Sequence, residues 1–225
     1  CLQYTGSFKL RGATNAVMSL DDSVTDVVAF SSGNHAQAVA RAASLRGMKA
    51  TIVMPEDAPK MKIEGTAAYG GHVVTYDRYT ESREEIGASI AAETGATLIA
   101  PFEDPRVIAG QGTVGLEIAE QCAEIGITPD HVIVCCGGGG LIAGTSLAIT
   151  EMMPDTDVWA AEPEDFDDTI RSLASGNRET VPPGNRSICD AVVTPQPGAM
   201  TFAINRHTLA GGFAVSDALV LRTMA

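Results

Sequence analysis

The chain has 225 residues, 45% of them hydrophobic and 19% charged, which is enough apolar material for one large domain or two smaller ones. Its formal net charge of −13 argues against nucleic acid and against an anionic membrane surface as partners. No apolar run approaches the roughly 20 residues of a membrane span, and no signal peptide is legible.

The five cysteines, at 1, 122, 135, 136 and 189, form no CxxC and no zinc spacing. Cys135 and Cys136 sit in an apolar run and read as buried core thiols, which points to a reducing, cytoplasmic compartment.

The first distinctive stretch is TGSFKLRGA, residues 5–13. Its single lysine, Lys9, stands between Phe8 and Leu10. Two readings compete. One is a surface lysine at a turn-to-helix junction capped by Thr5 or Ser7. The other is a partly desolvated amine of lowered pKa, able to form a Schiff base.

Beyond it the pattern alternates. Apolar, β-branched runs at 26–31, 50–54, 72–76, 96–100, 131–135 and 157–161 predict strands. Helix-length stretches at 36–46, 59–69, 80–94, 108–124, 141–152 and 166–173 separate them. This is the signature of βαβ units in mostly parallel sheets, and the continuous apolar strands predict sheets covered on both faces. An irregular PFEDP at 101–105 marks a domain change, and 177–184 reads as loop. The tail after 214 enters a helical pattern.

Ligands in such folds sit where strands feed helices, at the strands' carboxyl ends. Two such loops are unusual. Ser31-Ser32-Gly33-Asn34-His35 offers two hydroxyls, an amide, an imidazole and the N–H groups of a helix start, which suits a carboxylate or phosphate. Simple N-capping needs only one such residue. Gly137-Gly138-Gly139-Gly140 opens the next candidate, where bare amides can wrap a phosphate. Gly138-x-Gly140-x-x-Ala143, with Glu162 ending the following strand, also satisfies a dinucleotide fingerprint. That alternative predicts a nicotinamide-dependent Rossmann oxidoreductase. It leaves SFKLRG and SSGNH unexplained.

Taken together, SFKLRG at 7–12, SGNH at 32–35 and the tetraglycine resemble the pyridoxal-phosphate fold-type II family, in its threonine/serine dehydratase and serine racemase branch. MPEDAPKMKIEGTAAYGGHVV, EDPRVIAGQGTVGLEI, AAEPEDFDDTI and SICDAVVTPQPGAMTFAINR are similar to that branch too, so the resemblance covers essentially the whole chain.

The resemblance implies two α/β domains, each a mostly parallel sheet flanked by helices. Residues 26–100 would form the small domain; 1–25 and 101–225 would belong to the large, cofactor-binding one. It implies that Lys9 carries pyridoxal 5′-phosphate, that Phe8 lies against the ring and that Asn34 bonds the ring oxygen. Gly137, Gly138, Gly139, Gly140 and the Leu141 amide would hold the phosphate. Ser31, Asn34 and His35, with Arg83, would hold the substrate carboxylate. Lys9 and Ser32 would be the acid/base groups on opposite faces, and a serine rather than alanine at position 32 resembles the racemase-like group. Glu162, Asp168 and the Phe166 carbonyl match a divalent cation site, and hard oxygen ligands suit Mg²⁺ or Ca²⁺; an acidic cluster at a helix start is the plainer reading.

The implied reaction is loss of water from L-threonine, L-serine or 3-hydroxyaspartate, giving a 2-oxo acid and ammonia, alongside racemisation, in a homodimer or higher homo-oligomer. Family members begin several dozen residues earlier and extend beyond residue 225. The chain is therefore expected to be a fragment truncated at both ends, and a catalytically incomplete remnant is the further alternative. Ala191 stands where the racemase group has glycine against the cofactor ring.

Overall fold

The computed structural model describes residues 3–31 and 33–225, and its chain divides into two compact units, Cys1–Gly110 and Gln111–Ala225.

The first unit is built on a four-stranded, all-parallel sheet. Its strands are β1 (Asp26–Phe30), β2 (Lys49–Pro55), β3 (Gly71–Tyr76) and β4 (Thr97–Leu98), in the order β3-β2-β1-β4. Helices α1 (Lys9–Met18), α2 (Asn34–Arg46), α3 (Lys60–Ala68) and α4 (Arg83–Thr94) connect and cover them. Side chains alternate across a strand, and here both faces meet helices. Val27 and Ala29 pack with Leu10, Ala13 and Val17 of α1 and Ala36, Val39 and Ala43 of α2. Val28 and Phe30 pack with Ile86, Ile90 and Ala91 of α4. The expectation of a doubly covered parallel sheet holds for this unit.

β4 is shorter than the predicted 96–100. After Leu98 the backbone makes one more bond, Ile99 N–H to the Val28 carbonyl at 2.9 Å, and then leaves the sheet toward Pro101. α4 begins three residues later than predicted. Asp77 N–H bonds the Glu81 carboxylate at 2.7 Å and holds a turn there, and Ser82 then caps the helix by accepting the Glu85 N–H at 3.2 Å.

Helix α5 (Pro105–Ile125) leads from one unit into the next. The second unit has a three-stranded parallel sheet in the order β5-β6-β7, made of β5 (His131–Cys135), β6 (Asp157–Pro163) and β7 (Gly211–Val215). Helix α6 (Gly140–Met152), a 3₁₀ turn (Glu164–Phe166), α7 (Asp168–Ser175), α8 (Ala199–Thr208) and α9 (Asp217–Met224) complete it. Val132, Val134 and Cys136 pack with Ala119, Cys122, Ile142 and Ile149. The opposite face of β5 is open: Ile133 is 61% exposed, and Cys135 is exposed as well. This corrects the reading of both thiols as core. β5 is an edge strand, and strand alternation sends Cys136 inward and Cys135 outward. No helix among the described residues is long and apolar enough to cross a membrane.

Candidate active site

Lys9 is the first residue of α1, with its N–H directed to Ser7 Oγ at 3.3 Å. Its Nζ donates to the Pro101 carbonyl at 2.8 Å and lies 5.4 Å from the Phe8 ring centroid. Desolvation by burial lowers its pKa from 10.5 to about 8. Of the two readings of SFKLRG, the structure favours the desolvated amine. A charged lysine with one carbonyl acceptor, and no carboxylate partner among the described residues, is poised to lose its proton.

β1 feeds the serine loop. Ser31 Oγ accepts the Gly33 N–H at 3.2 Å, Gly33 caps α2, and Asn34 opens that helix with an exposed side chain. Ser32 lies outside the described residues.

His35 is only 2% exposed, and its Nε2 lies 2.9 Å from the Ile99 carbonyl, so Nε2 carries the proton. Burial, then the Lys9 charge, drive its pKa down to about 3. The imidazole is a neutral core group; what His35 offers the loop is its backbone N–H at the start of α2. Lys62 enters unannounced: its Nζ lies 3.6 Å from where a Cβ on Gly33 would sit, which puts an ammonium beside the loop.

The loop borders a cavity of about 240 Å³ at the carboxyl ends of β1, β2 and β3, lined by Ser31, Val53, Pro55, Tyr76, Arg78 and Arg83. Ser31 and Arg83 were expected in one place and share this wall. Arg78 was missed. Its signal was an arginine just past the third strand in YDRYTESRE, but only the fold shows that it turns into the same cavity.

In the second unit the tetraglycine links β5 to α6. Gly139 has φ +88°, in the left-handed region, and no side chain among the described residues caps the helix after it. A Cβ at Gly139 would sit 2.9 Å from both Asn205 Nδ2 and Thr201 Oγ1, and one at Gly137 would sit 2.9 Å from Val192 Cα. Only glycine fits. Helix α8 backs the loop: Thr201 Oγ1 donates to the Gly138 carbonyl at 2.7 Å, and Gly198 N–H reaches it at 3.3 Å. The Gly140 and Leu141 amides at the open end of α6 remain for an anion.

Glu162 is 1% exposed near the end of β6. Its Oε1 accepts the Thr169 N–H at 3.1 Å and its Oε2 the Ile170 N–H at 2.9 Å. This carboxylate is turned onto the start of α7, which removes the ribose contact that a dinucleotide reading needs. Desolvation nevertheless raises its pKa. Asp168, also 1% exposed, has a buried Oδ2 without a hydrogen-bond partner among the described residues. Desolvation, then Glu162, push its pKa up to about 7. Phe166 is buried on the 3₁₀ turn between them. No group of three His, Cys, Asp or Glu side chains gathers among the described residues.

Within the first unit a lysine amine is held below its usual pKa, and within the second bare amides open a helix; each, taken by itself, is a feature that a pyridoxal-phosphate enzyme uses. The family model "Pyridoxal-phosphate dependent enzyme" matches residues 1–225, and the chain belongs to that family.

It is 44% identical over 224 residues to an L-threo-3-hydroxyaspartate ammonia-lyase of Saccharomyces cerevisiae, covering 99% of this chain and 67% of the relative. It is 42% identical over 226 residues to a serine racemase of Oryza sativa, covering 100% of this chain and 65% of that one. Among solved structures, a threonine deaminase of T.th. superposes with a TM-score of 0.92 at 44% identity, covering 98% of this chain and 71% of that one. Maize serine racemase gives 0.92 at 42% identity over 100% of this chain and 67% of its own. The chain thus spans about two thirds of the length of the relatives it matches. These neighbours are fold-type II enzymes, as the resemblance implied.

Proposed function

We propose that the chain carries the catalytic core of a lyase that removes water from a small β-hydroxy-α-amino acid and releases a 2-oxo acid and ammonia, with racemisation of the same substrate as a second activity. The observation that carries this reading is the Lys9 amine, whose desolvation brings its pKa to about 8. Bound pyridoxal phosphate supplies an electron sink that makes the substrate α-proton removable. Lys9 holds the cofactor and, once released, is the base on one face. Phe8 supports the ring and Asn34 holds its oxygen. Gly137, Gly138, Gly139, Gly140 and the Leu141 amide take the phosphate.

Ser31, Asn34 and the His35 N–H receive the substrate carboxylate, with Arg83 beside them. Ser32 delivers a proton to the other face, the feature racemisation needs beyond elimination. The two carboxylates Glu162 and Asp168, with the Phe166 carbonyl and water, hold Mg²⁺ or Ca²⁺; a cation would relieve the buried Asp168 Oδ2, which has no hydrogen-bond partner among the described residues. On the same reading residues 1–25 join 101–225 in the large domain. The protein works in the cytoplasm as a homodimer or higher oligomer and contacts neither nucleic acid nor membrane.

The test is chemical. Borohydride reduction followed by peptide mass analysis should find the cofactor on Lys9. L-serine, L-threonine and L-threo-3-hydroxyaspartate are then assayed for 2-oxo acid and ammonia. In Ser32→Ala, inversion and turnover of D-serine should fall while elimination from L-substrates persists. Equal losses on both enantiomers would return Ser32 to a capping role. A cofactor on another lysine, or thermal stabilisation by NAD instead of pyridoxal phosphate, would overturn the reading.

A further inference from the structure

We infer that the cavity beside the serine loop receives a second carboxylate, so that the preferred substrate is a 3-hydroxylated dicarboxylic amino acid and Arg78 is a specificity-determining residue. The inference rests on the lyase reading above for where the amino acid's first carboxylate lies.

The cavity is small, about 240 Å³, below the roughly 300–1,000 Å³ of pockets for drug-sized ligands. It suits a few atoms. Two arginines, Arg78 and Arg83, line it together with Tyr76 and Ser31. Serine has no side-chain atoms beyond its hydroxyl to place there, and threonine only a methyl. Neither gives two arginines anything to bind.

A carboxylate does. Arg83 gives its Nε to Glu84 Oε1 at 2.8 Å, and its guanidinium lies 5.3 Å from the Phe30 ring centroid, which orients the plane. Its two Nη groups have no hydrogen-bond partner among the described residues. Arg78 Nη2 pairs with Asp57 at 2.6 Å, but both side chains are nearly half exposed, at 44% and 47%. Such a pair is worth little in water. A guanidinium has five donors, so a ligand carboxylate can share Arg78 with Asp57. Ser31 links the two functions: its backbone opens the loop that takes the first carboxylate, and it also lines the cavity. An α-amino acid held at that loop, with Arg83 beside its first carboxylate, therefore presents its side chain toward Arg78, and Arg83 lies between the two carboxylates.

The test compares kcat/KM for L-threo-3-hydroxyaspartate with kcat/KM for L-serine on the holoenzyme. Wild type should favour the dicarboxylate. Arg78→Gln should lower that preference by about 10- to 100-fold, the usual range for one charge-assisted bond, and Arg78→Lys should recover part of it. A readout independent of turnover is the melting temperature in succinate and in propionate. Succinate should raise it more, and Arg78→Gln should erase the difference. A wild-type preference for L-serine, an unchanged ratio in Arg78→Gln, or equal effects of succinate and propionate would each overturn the inference. If no hydroxy amino acid turns over but succinate still stabilises through Arg78, the cavity assignment stands and the lyase reading fails.

Discussion

The loops 31–35 and 137–140 both leave the carboxyl end of a parallel strand and open a helix, yet they are built from opposite materials. The first presents the Ser31 hydroxyl and the exposed Asn34 amide, with the Lys62 ammonium beside Gly33 and Arg78 and Arg83 lining the cavity next to Ser31. The second presents no side chain at all, only backbone amides over a layer of α8 residues. On the proposed reading the first loop takes a substrate, which must be distinguished and then released, and side chains can do that. The second would take a resident phosphate, which bare amides at a helix start can hold without selecting anything else. The contrast predicts that the glycine loop fails on a single added carbon, while the serine loop changes preference before it fails.

The largest effect is therefore expected at Gly139→Val. The left-handed φ of +88° is strained for a β-branched residue, and its Cβ would sit 2.9 Å from Thr201 and Asn205. Pyridoxal-phosphate affinity, read by fluorescence titration, should drop by about 100-fold, and stability should fall by roughly 2–4 kcal/mol. Unchanged affinity would break the claim that backbone approach does the binding.

What the sequence made legible follows the same division. Loops whose chemistry is local could be read directly: SFKLRG, SSGNH and the tetraglycine each stand out over a few residues. The strands β1, β2, β3, β5 and β6 were legible because β-branched runs between helical stretches leave little choice. β7 was not, because Gly211 and Gly212 begin it and carry no side-chain pattern. α8 was missed for lack of a strong apolar stripe. The partners that reach the loops across the fold, Arg78, Lys62, Thr201 and Asn205, were invisible because each lies far along the chain from the loop it serves. The part of His35 that faces the loop was not legible for a related reason: an imidazole beside serines looks like a ligand group, and only the Ile99 carbonyl shows that its ring belongs to the core.

That placement of His35 gives a pH prediction that sharpens the contrast from the serine-loop side. Its native pKa, about 3, lies below the ordinary 6.5, so between those values the unfolded chain holds a proton that the native one does not. The stability it contributes is complete above pH 6.5 and is lost as pH falls toward 3. By pH 4 the loss should reach up to about 3 kcal/mol, since one bound proton is worth about 1.36 kcal/mol for each pH step of one between the two values. Urea unfolding of wild type and His35→Gln at pH 7 and pH 4 separates this from other acid effects: the difference between the two proteins should narrow or reverse on acidification. Parallel profiles would mean that the ring is solvated and free to serve the loop.

The buried carboxylates of the second unit give the next test. With chelator present, Mg²⁺ or Ca²⁺ is titrated back at pH 8, where Asp168 is ionised. The wild type should gain about 2.7 kcal/mol at a hundredfold excess over Kd, which is several degrees in Tm. Glu162→Gln should lose most of this gain. An equal response in both proteins would leave Glu162 as the cap of α7 that its two backbone bonds describe.

The smallest effect concerns the layer beneath the glycine loop. Asn205 is fully buried, and neither its Nδ2 nor its Oδ1 has a partner among the described residues, although Nδ2 would touch a Cβ on Gly139. Its neighbour Thr201 does bond the loop, at the Gly138 carbonyl. If the loop is held by its own backbone and by Thr201, the Asn205 amide only fills space and carries the cost of unmet hydrogen bonds. Asn205→Leu, of similar volume, should then raise stability by about 1–2 kcal/mol and leave pyridoxal-phosphate affinity within a factor of two or so. Thr201→Val should do the reverse, lowering both, because it strips the shorter of the two bonds to the half-buried Gly138 carbonyl and leaves only the Gly198 N–H at 3.3 Å. Thermal melts and cofactor titrations on the pair decide the matter. A loss of affinity in Asn205→Leu would mean that the amide steadies the loop by a polar contact, and that the second unit's anion site also depends on a side chain.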